Sequence, residues 1–360
     1  MMAGDGLLVR VRPVLARMTA DQVAGLCAVA NRFGNGLIDV TNRANIQIRG
    51  VDDRSLPSVL KQLVALDLVD PDPIREARRA ILVAPDWRVG DDSACLAQEL
   101  LSRLDELPDM PAKIGFAFDA GAAPLLGEDS ADFRVERSVS GAVMLRADGR
   151  QTGIAVTRAD AIDALIGLTR WFMDSGGAEA GRMRRHPVPL PNWAVGDQRP
   201  KPARKPLTPS IHPLGQIVGV PFGSVEAEAL ARLMMQSGAA ALRVTPWRCV
   251  LLEGGAATPA DCFVTGASDP ILRAYACPGS PACPQATVET RALAARLAPH
   301  VGGRLHVSGC GKGCAHAGPC DVLLTGRDGL FELSFNACPG DAPARMGVRA
   351  DELLTHFGAD

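Results

Sequence analysis

No run of apolar residues in this chain reaches the roughly 20 residues that a membrane-spanning helix needs, so no spanning segment is expected. The N-terminus, MMAGDGLLVRVRPVL, carries an aspartate early and arginines inside its apolar stretch, and therefore lacks the uninterrupted apolar centre of a secretory leader. Neither sign of charge is in excess: 38 Lys and Arg stand against 40 Asp and Glu, a net charge of −2. That balance removes the bulk electrostatic reason to expect nucleic acid as a partner. No G-x-G-x-x-G opens a strand–turn–helix unit, so a dinucleotide domain within the chain is not expected. Together these absences point to the cytoplasm, where thiols stay reduced. Ten cysteines there argue for metal or redox chemistry over a disulfide framework.

Four of those cysteines fall into two pairs, Cys277 with Cys283 (C-x5-C) and Cys310 with Cys314 (C-x3-C), separated by enough chain for one helix and one strand. Two thiolates on each of two loops can close around one metal centre. Structural zinc knuckles are usually C-x2-C to C-x4-C, because a tight loop aims both sulfurs at one small ion. The wider first spacing suits a larger object such as an Fe–S cluster. Gly279, Gly309, Gly311 and Gly313 let backbone approach closely and turn N–H groups toward sulfur. Buried thiols, a zinc site and disulfides are the competing readings. His316 reads as a loop histidine bonded to backbone, and Lys312 as either a charge beside the site or a solvated loop lysine. Cys320 reads as the buried start of a strand, while Cys27, Cys95, Cys249, Cys262 and Cys338 show no paired spacing.

At 360 residues the chain exceeds one average domain. LLVRV reads as a strand, and Thr19 with Gln22 forms a capping box before a helix whose apolar positions are Val23, Leu26, Cys27, Ala30 and Phe33. Gly34 fits its C-terminus. LIDVTNRANIQIRGV alternates as a half-buried strand does, placing Arg43 and Asn45 in a strand or in a turn that interrupts it. The unit returns: VTNRANIQIRG from Val40 and VTPWRCVLLEG from Val244 align without a gap, 204 residues apart, with Leu26 on Leu230 and Gly34 on Gly238. Two copies predict a pseudo-twofold body, since a solenoid wants at least three. Each copy precedes further strands and a helix, the pattern of an α+β fold with two pseudo-twofold halves. The expected division is 1–185, a Pro-rich stiff linker over 186–213 that is free to lie across the other half, and 214–360.

The order C-x5-C, helix, strand, S-G-C-x-K-G-C-A-H resembles the cluster-binding signature of the sulfite and nitrite reductase superfamily, and the likeness extends over most of the chain. Within it, the short chain and the run SGCGKGCAHAGP are most similar to the branch that acts on precorrins in aerobic cobalamin (vitamin B12) synthesis. The resemblance implies halves that each combine a ferredoxin-like unit with a mixed α/β unit, and a [4Fe–4S] cluster on Cys277, Cys283, Cys310 and Cys314. It implies an iron–sulfur monooxygenase that uses O2 to hydroxylate precorrin-3A at C20 with γ-lactone formation. Electrons would come from NAD(P)H through a separate reductase, and the oxygen-activating iron would be a mononuclear iron or a siroheme bridged by Cys314. Arg43 in T-N-R-A-N-I-Q matches the superfamily's T-x-R-x-x-x-Q turn. Arg79, with Arg78 as the alternative register, resembles the second site arginine, and Lys113 the first lysine of K-x-K, whose second position is Gly115 here. That loss weakens the rival reading, a siroheme sulfite or nitrite reductase, which needs crowded cationic donors around a small oxyanion. A non-catalytic electron carrier is the third reading. Protein purified without air is expected to show a broad cluster absorption, about four iron per chain with matching sulfide, and no extractable tetrapyrrole. Zinc without sulfide would reject the cluster.

Overall fold

The computed structural model describes residues 2–256 and 262–359. Thr19 starts the first long helix, Ala20–Phe33, as its neighbours predict. Its hydroxyl accepts the backbone N–H of Gln22 at 3.2 Å, and Gln22 Oε1 accepts the N–H of Thr19 at 2.9 Å, so two donors otherwise left open are satisfied. Gly34 ends the helix in an extended conformation, and a Cβ there would lie 2.4 Å from the carbonyl oxygen of Arg49. Close approach of helix and strand, not backbone freedom, demands glycine at this position. The alternating stretch becomes two antiparallel strands, Leu37–Val40 and Ile46–Val51, joined by a turn that holds Arg43.

The repeat is visible atom by atom. The second copy forms the strand Gly215–Gly219, the helix Ala227–Ser237 and the strands Ala241–Val244 and Cys249–Glu253. Ala44 and Arg248, 204 residues apart, both take a left-handed backbone, with φ of 52° and 55°. Thr41 Oγ1 accepts the N–H of Arg43, and Thr245 Oγ1 that of Trp247, again at the same offset. Each copy also lends an edge strand to the other: Ser224–Glu226 pairs with Leu37–Val40, and Arg17–Thr19 pairs with Ala241–Val244. The two helices pack together, and Leu26 with Leu230, Ile46 with Val250 and Ile48 with Leu252 lie in a single apolar core. The fold is α+β, with ferredoxin-like units interlocked about a pseudo-twofold axis.

Each ferredoxin-like unit is followed by a mixed α/β unit of identical strand order. In the first, Ile81–Val83, Phe116–Asp119 and Phe133–Arg137 run parallel, and Val143–Ala147 and Ile154–Ala155 return antiparallel. In the second, Ala274–Ala276, Leu305–Ser308 and Cys320–Arg327 run parallel before Leu330–Ala337 and Arg345–Val348. Each has its own core. The last residues of the Pro-rich segment reach the second half, where Leu207 packs with Ile217, Cys249 and Leu251. Before that the segment stays with the first half. It lies along the first α/β unit, where Lys201 N–H donates to Arg137 O at 2.8 Å, Gly153 N–H to Gln198 O at 2.9 Å and Arg204 N–H to Pro124 O at 2.7 Å. Exposed backbone groups of that unit give the linker nearby partners, so it follows the surface it has just left. Ser210–His212 then pairs with Gly215–Gly219.

Glu253 clamps the exchange. It accepts from Arg17 at 2.9 and 3.0 Å and from Arg243 at 2.7 Å, two arginines on neighbouring strands from different copies. The Arg17 bonds, then those from Arg243, hold its carboxyl down at about 2, against an ordinary 4.5. A lowered folded-state value stabilises above the ordinary value and is lost as pH falls from about 4.5 toward about 2. Glu253→Gln is expected to lower Tm at pH 7, with the variant and parent melting curves converging across that acid window.

Candidate functional site

Parallel pairing of Ala274–Ala276 with Leu305–Ser308 brings the loops leaving their C-terminal ends side by side, and these loops carry the two cysteine pairs. Backbone bonds hold them: Thr287 N–H donates to Gly309 O at 2.9 Å, Ser280 N–H to Val288 O at 2.9 Å and Cys283 N–H to Gly279 O at 2.8 Å. Gly309 N–H donates to Cys277 Sγ at 3.2 Å. Thr290 Oγ1 donates to Cys277 O at 2.6 Å, and a Cβ on Gly279, whose φ is 71°, would meet that hydroxyl at 2.7 Å. The Cys314 thiol is pushed up by burial first and then by Cys310, Cys277 and Cys283, with Lys312 opposing. The four sulfurs are therefore electrostatic neighbours. Yet among the described residues no three His, Cys, Asp or Glu side chains gather tightly enough for a single ion. Four thiols within mutual influence are a donor set that an Fe–S cluster or a zinc ion could take. None of the ten cysteines is in a disulfide.

Beside the cysteines lies a cavity of about 580 Å³, walled by both repeat copies, by Pro206–Pro209 of the linker and by the cysteine loops. Thr41, Asn42, Gln47 and Arg49 come from the first copy, Trp247 and Arg248 from the second, and Tyr275, Cys277, Arg291 and Cys314 from the cluster unit. Arg248 lies over the Tyr275 ring at 4.1 Å and donates to Ala274 O at 2.6 Å and Leu272 O at 2.7 Å, while burial lowers its pKa. The loop position of His316 predicts a bond to backbone, but its Nε2 makes none. That atom is buried without a partner, because the ring packs against Tyr275 at 4.5 Å, 35° off parallel.

The basic residues singled out in the sequence stand elsewhere. Arg43 reaches toward Ser130 Oγ at 3.5 Å, away from the wall that Asn42 and Gln47 help to build. Burial, then Arg182, Arg10 and Arg12, lower its pKa against the pull of Asp132. Arg79 is buried, donating to Glu76 at 2.8 Å and to Arg12 O at 2.7 Å. Arg78 pairs with Asp109 at 2.8 Å. Lys113 is exposed near Gly181, and Arg182 donates to its carbonyl at 2.6 Å. A Cβ at Gly115 would lie 3.1 Å from Ala80 O, so this strand crossing leaves a second lysine little room. Lys312 is exposed, and Cys320 opens its strand buried, its thiol pushed up to about 11 by burial. Burial likewise raises the Cys27 thiol to about 12 and the Cys249 thiol to about 11, as expected of core residues.

Three arginines of the cavity wall, Arg49, Arg248 and Arg291, escape the sequence reading. The repeat offered a signal for one of them: Arg43 aligns with Trp247 and Ala44 with Arg248, so the symmetry breaks at the turn that reaches the cavity.

Residues 1–66 match the family model of the nitrite/sulfite reductase ferredoxin-like half domain. Among solved structures, the Mycobacterium tuberculosis NirA protein superposes with a TM-score of 0.64 over 97% of this chain and 79% of its own, at 18% identity. Fold and half-domain together define a fold of the nitrite/sulfite reductase type. A precorrin-3B synthase from Sinorhizobium sp. is 30% identical over 383 aligned positions, covering 96% of this chain and 82% of that protein. The chain belongs to the precorrin-3B synthase family. Among the described residues no helix is long and apolar enough to cross a membrane.

Because Arg79 is buried on Glu76 and on the carbonyl of Arg12, Arg79→Ala is expected to cost about 1–2 kcal/mol, Glu76 keeping Arg12 and the Asp70 N–H. Chemical denaturation should register this loss even where substrate binding by the folded fraction is unchanged.

Proposed function

We propose that this chain is a precorrin-3B synthase in aerobic cobalamin synthesis, an O2-dependent iron–sulfur monooxygenase acting on precorrin-3A. The observation that carries the reading is the cavity: two members of the cysteine quartet, Cys277 and Cys314, open onto a chamber lined by Trp247, Tyr275 and three arginines. Such walls suit a large ring bearing carboxylates, since aromatic faces take its plane and arginine forks take its acids.

Cys277, Cys283, Cys310 and Cys314 would hold a [4Fe–4S] cluster, which supplies single electrons when bound. In the net reaction one oxygen atom enters at C20 and the other leaves as water, consuming two electrons and two protons; the ring A acetate then closes the γ-lactone. NAD(P)H is the ultimate electron source, through a separate reductase, because the chain lacks a dinucleotide fingerprint. The protein's task is to bind, orient and shield the ring. Arg248, fixed by two carbonyls and the Tyr275 ring, presents a preset cationic surface. Arg43, Arg79 and Lys113 serve from outside the cavity. Arg43 adds to the positive field of Arg10, Arg12 and Arg182 beside the Asn42 wall, and Arg79 braces the backbone of Arg12.

One observation favours a second reading. Cys314 is exposed on the cavity wall, where it could bridge to a siroheme iron in a sulfite or nitrite reductase. Gly115 in place of a lysine, and Lys113 outside the cavity, weigh against it. Incubation with precorrin-3A, reductant and 18O2 is expected to give a product carrying one 18O, and Cys310→Ser to abolish both turnover and cluster absorption. Extractable siroheme with sulfite reduction, and no 18O product, would establish the rival.

A further inference from the structure

Two cavities meet at Arg291. This residue opens the helix Arg291–Leu297 and lines both the chamber beside the cysteines and a second one of about 970 Å³ along the helix Ala227–Ser237. Phe222 is the other side chain common to both walls.

The guanidinium of Arg291 is poorly matched. Its Nε is buried without a hydrogen-bond partner, and its Nη2 stands 3.7 Å from Asp39 Oδ1, beyond hydrogen-bond length. Asp39 Oδ1 is likewise buried and unpartnered. The neighbouring arginines differ. Arg49 donates to Asp39 Oδ2 at 2.8 Å and to both oxygens of Asp5 at 2.9 and 3.0 Å, and Arg248 is held by two carbonyls. A half-buried guanidinium with an unmatched Nε gains when an oxyanion meets it, and its planar fork fits a carboxylate at two points.

We propose that Arg291 is the carboxylate anchor of the bound tetrapyrrole. An acidic side chain of the ring passes from the first chamber toward the second and is gripped by Arg291, while the ring lies against Trp247 and Tyr275. Asp39 is the counter-charge that keeps Arg291 in place before the ring arrives, and it opposes the incoming acid. The assignment rests on the tetrapyrrole reading above.

The test is titration of the full chain, loaded with iron and sulfide, with uroporphyrin and with its octa-amide, an equal ring without carboxylates. Binding is followed by quenching of tryptophan fluorescence. The parent protein is expected to bind uroporphyrin more tightly than the amide. Arg291→Gln should weaken uroporphyrin at least tenfold and leave the amide and the cluster absorption unchanged. Arg291→Lys should recover only part of the loss, and Asp39→Asn should tighten uroporphyrin. Unaltered uroporphyrin affinity in both Arg291 variants overturns the anchor while leaving the tetrapyrrole reading in place. Equal weakening of acid and amide also overturns it, by showing that Arg291 only shapes the wall. A parent protein that binds neither ring removes both readings together.

Discussion

The structure depends on the reciprocal loan of edge strands between the two repeat copies. Arg17–Thr19 completes the sheet of the second copy and Ser224–Glu226 that of the first, so the pair shares one apolar core. Backbone pairing at a sheet edge is directional, and it sets the angle and distance between the copies more strictly than side-chain packing alone. The cavity beside the cysteines is the space this arrangement leaves. Its walls come from the turn of each copy, and neither copy could form them by itself.

Charge is concentrated where the copies and the cluster unit meet. Arg49 is buried and Arg248 half-buried in geometries that other groups determine, carboxylates for one, carbonyls and a phenol ring for the other. Such residues are preorganised, since their desolvation is compensated during folding and not at the moment of binding. Arg291 departs from that rule, with its ion pair stretched and its Nε unmatched. The cysteine loops show a parallel economy of motion: glycines and backbone bonds hold four thiols near one another without converging them on a single point.

Pseudo-symmetry organises the chain and is broken where chemistry is expected. The two α/β units share a strand order, yet only the second carries the cysteine pairs on the loops that follow its parallel strands. At the equivalent turns, Arg43 faces away from the cavity while Trp247, its counterpart, forms part of the wall. A duplicated scaffold has thus diverged at loop positions, which tolerate change because little of the core depends on them.

Much of the fold was legible in the chain because it rests on local or repeated patterns. The Thr19 capping box, the 204-residue repeat and the C-x5-C and C-x3-C loops are properties of near neighbours in sequence, and they set the start of a helix, the pairing of copies and the approach of four thiols. The surroundings of the site were not legible. Whether an arginine faces a cavity, an ion pair or solvent depends on partners far along the chain, as Arg79 on the backbone of Arg12, Arg49 on Asp5, and Arg291 on Asp39 attest. Spacing alone singled out four thiols, which the fold leaves within electrostatic reach of one another. Tertiary structure decided which cations stand beside them, because long side chains take their direction from whichever distant oxygen the fold brings within reach.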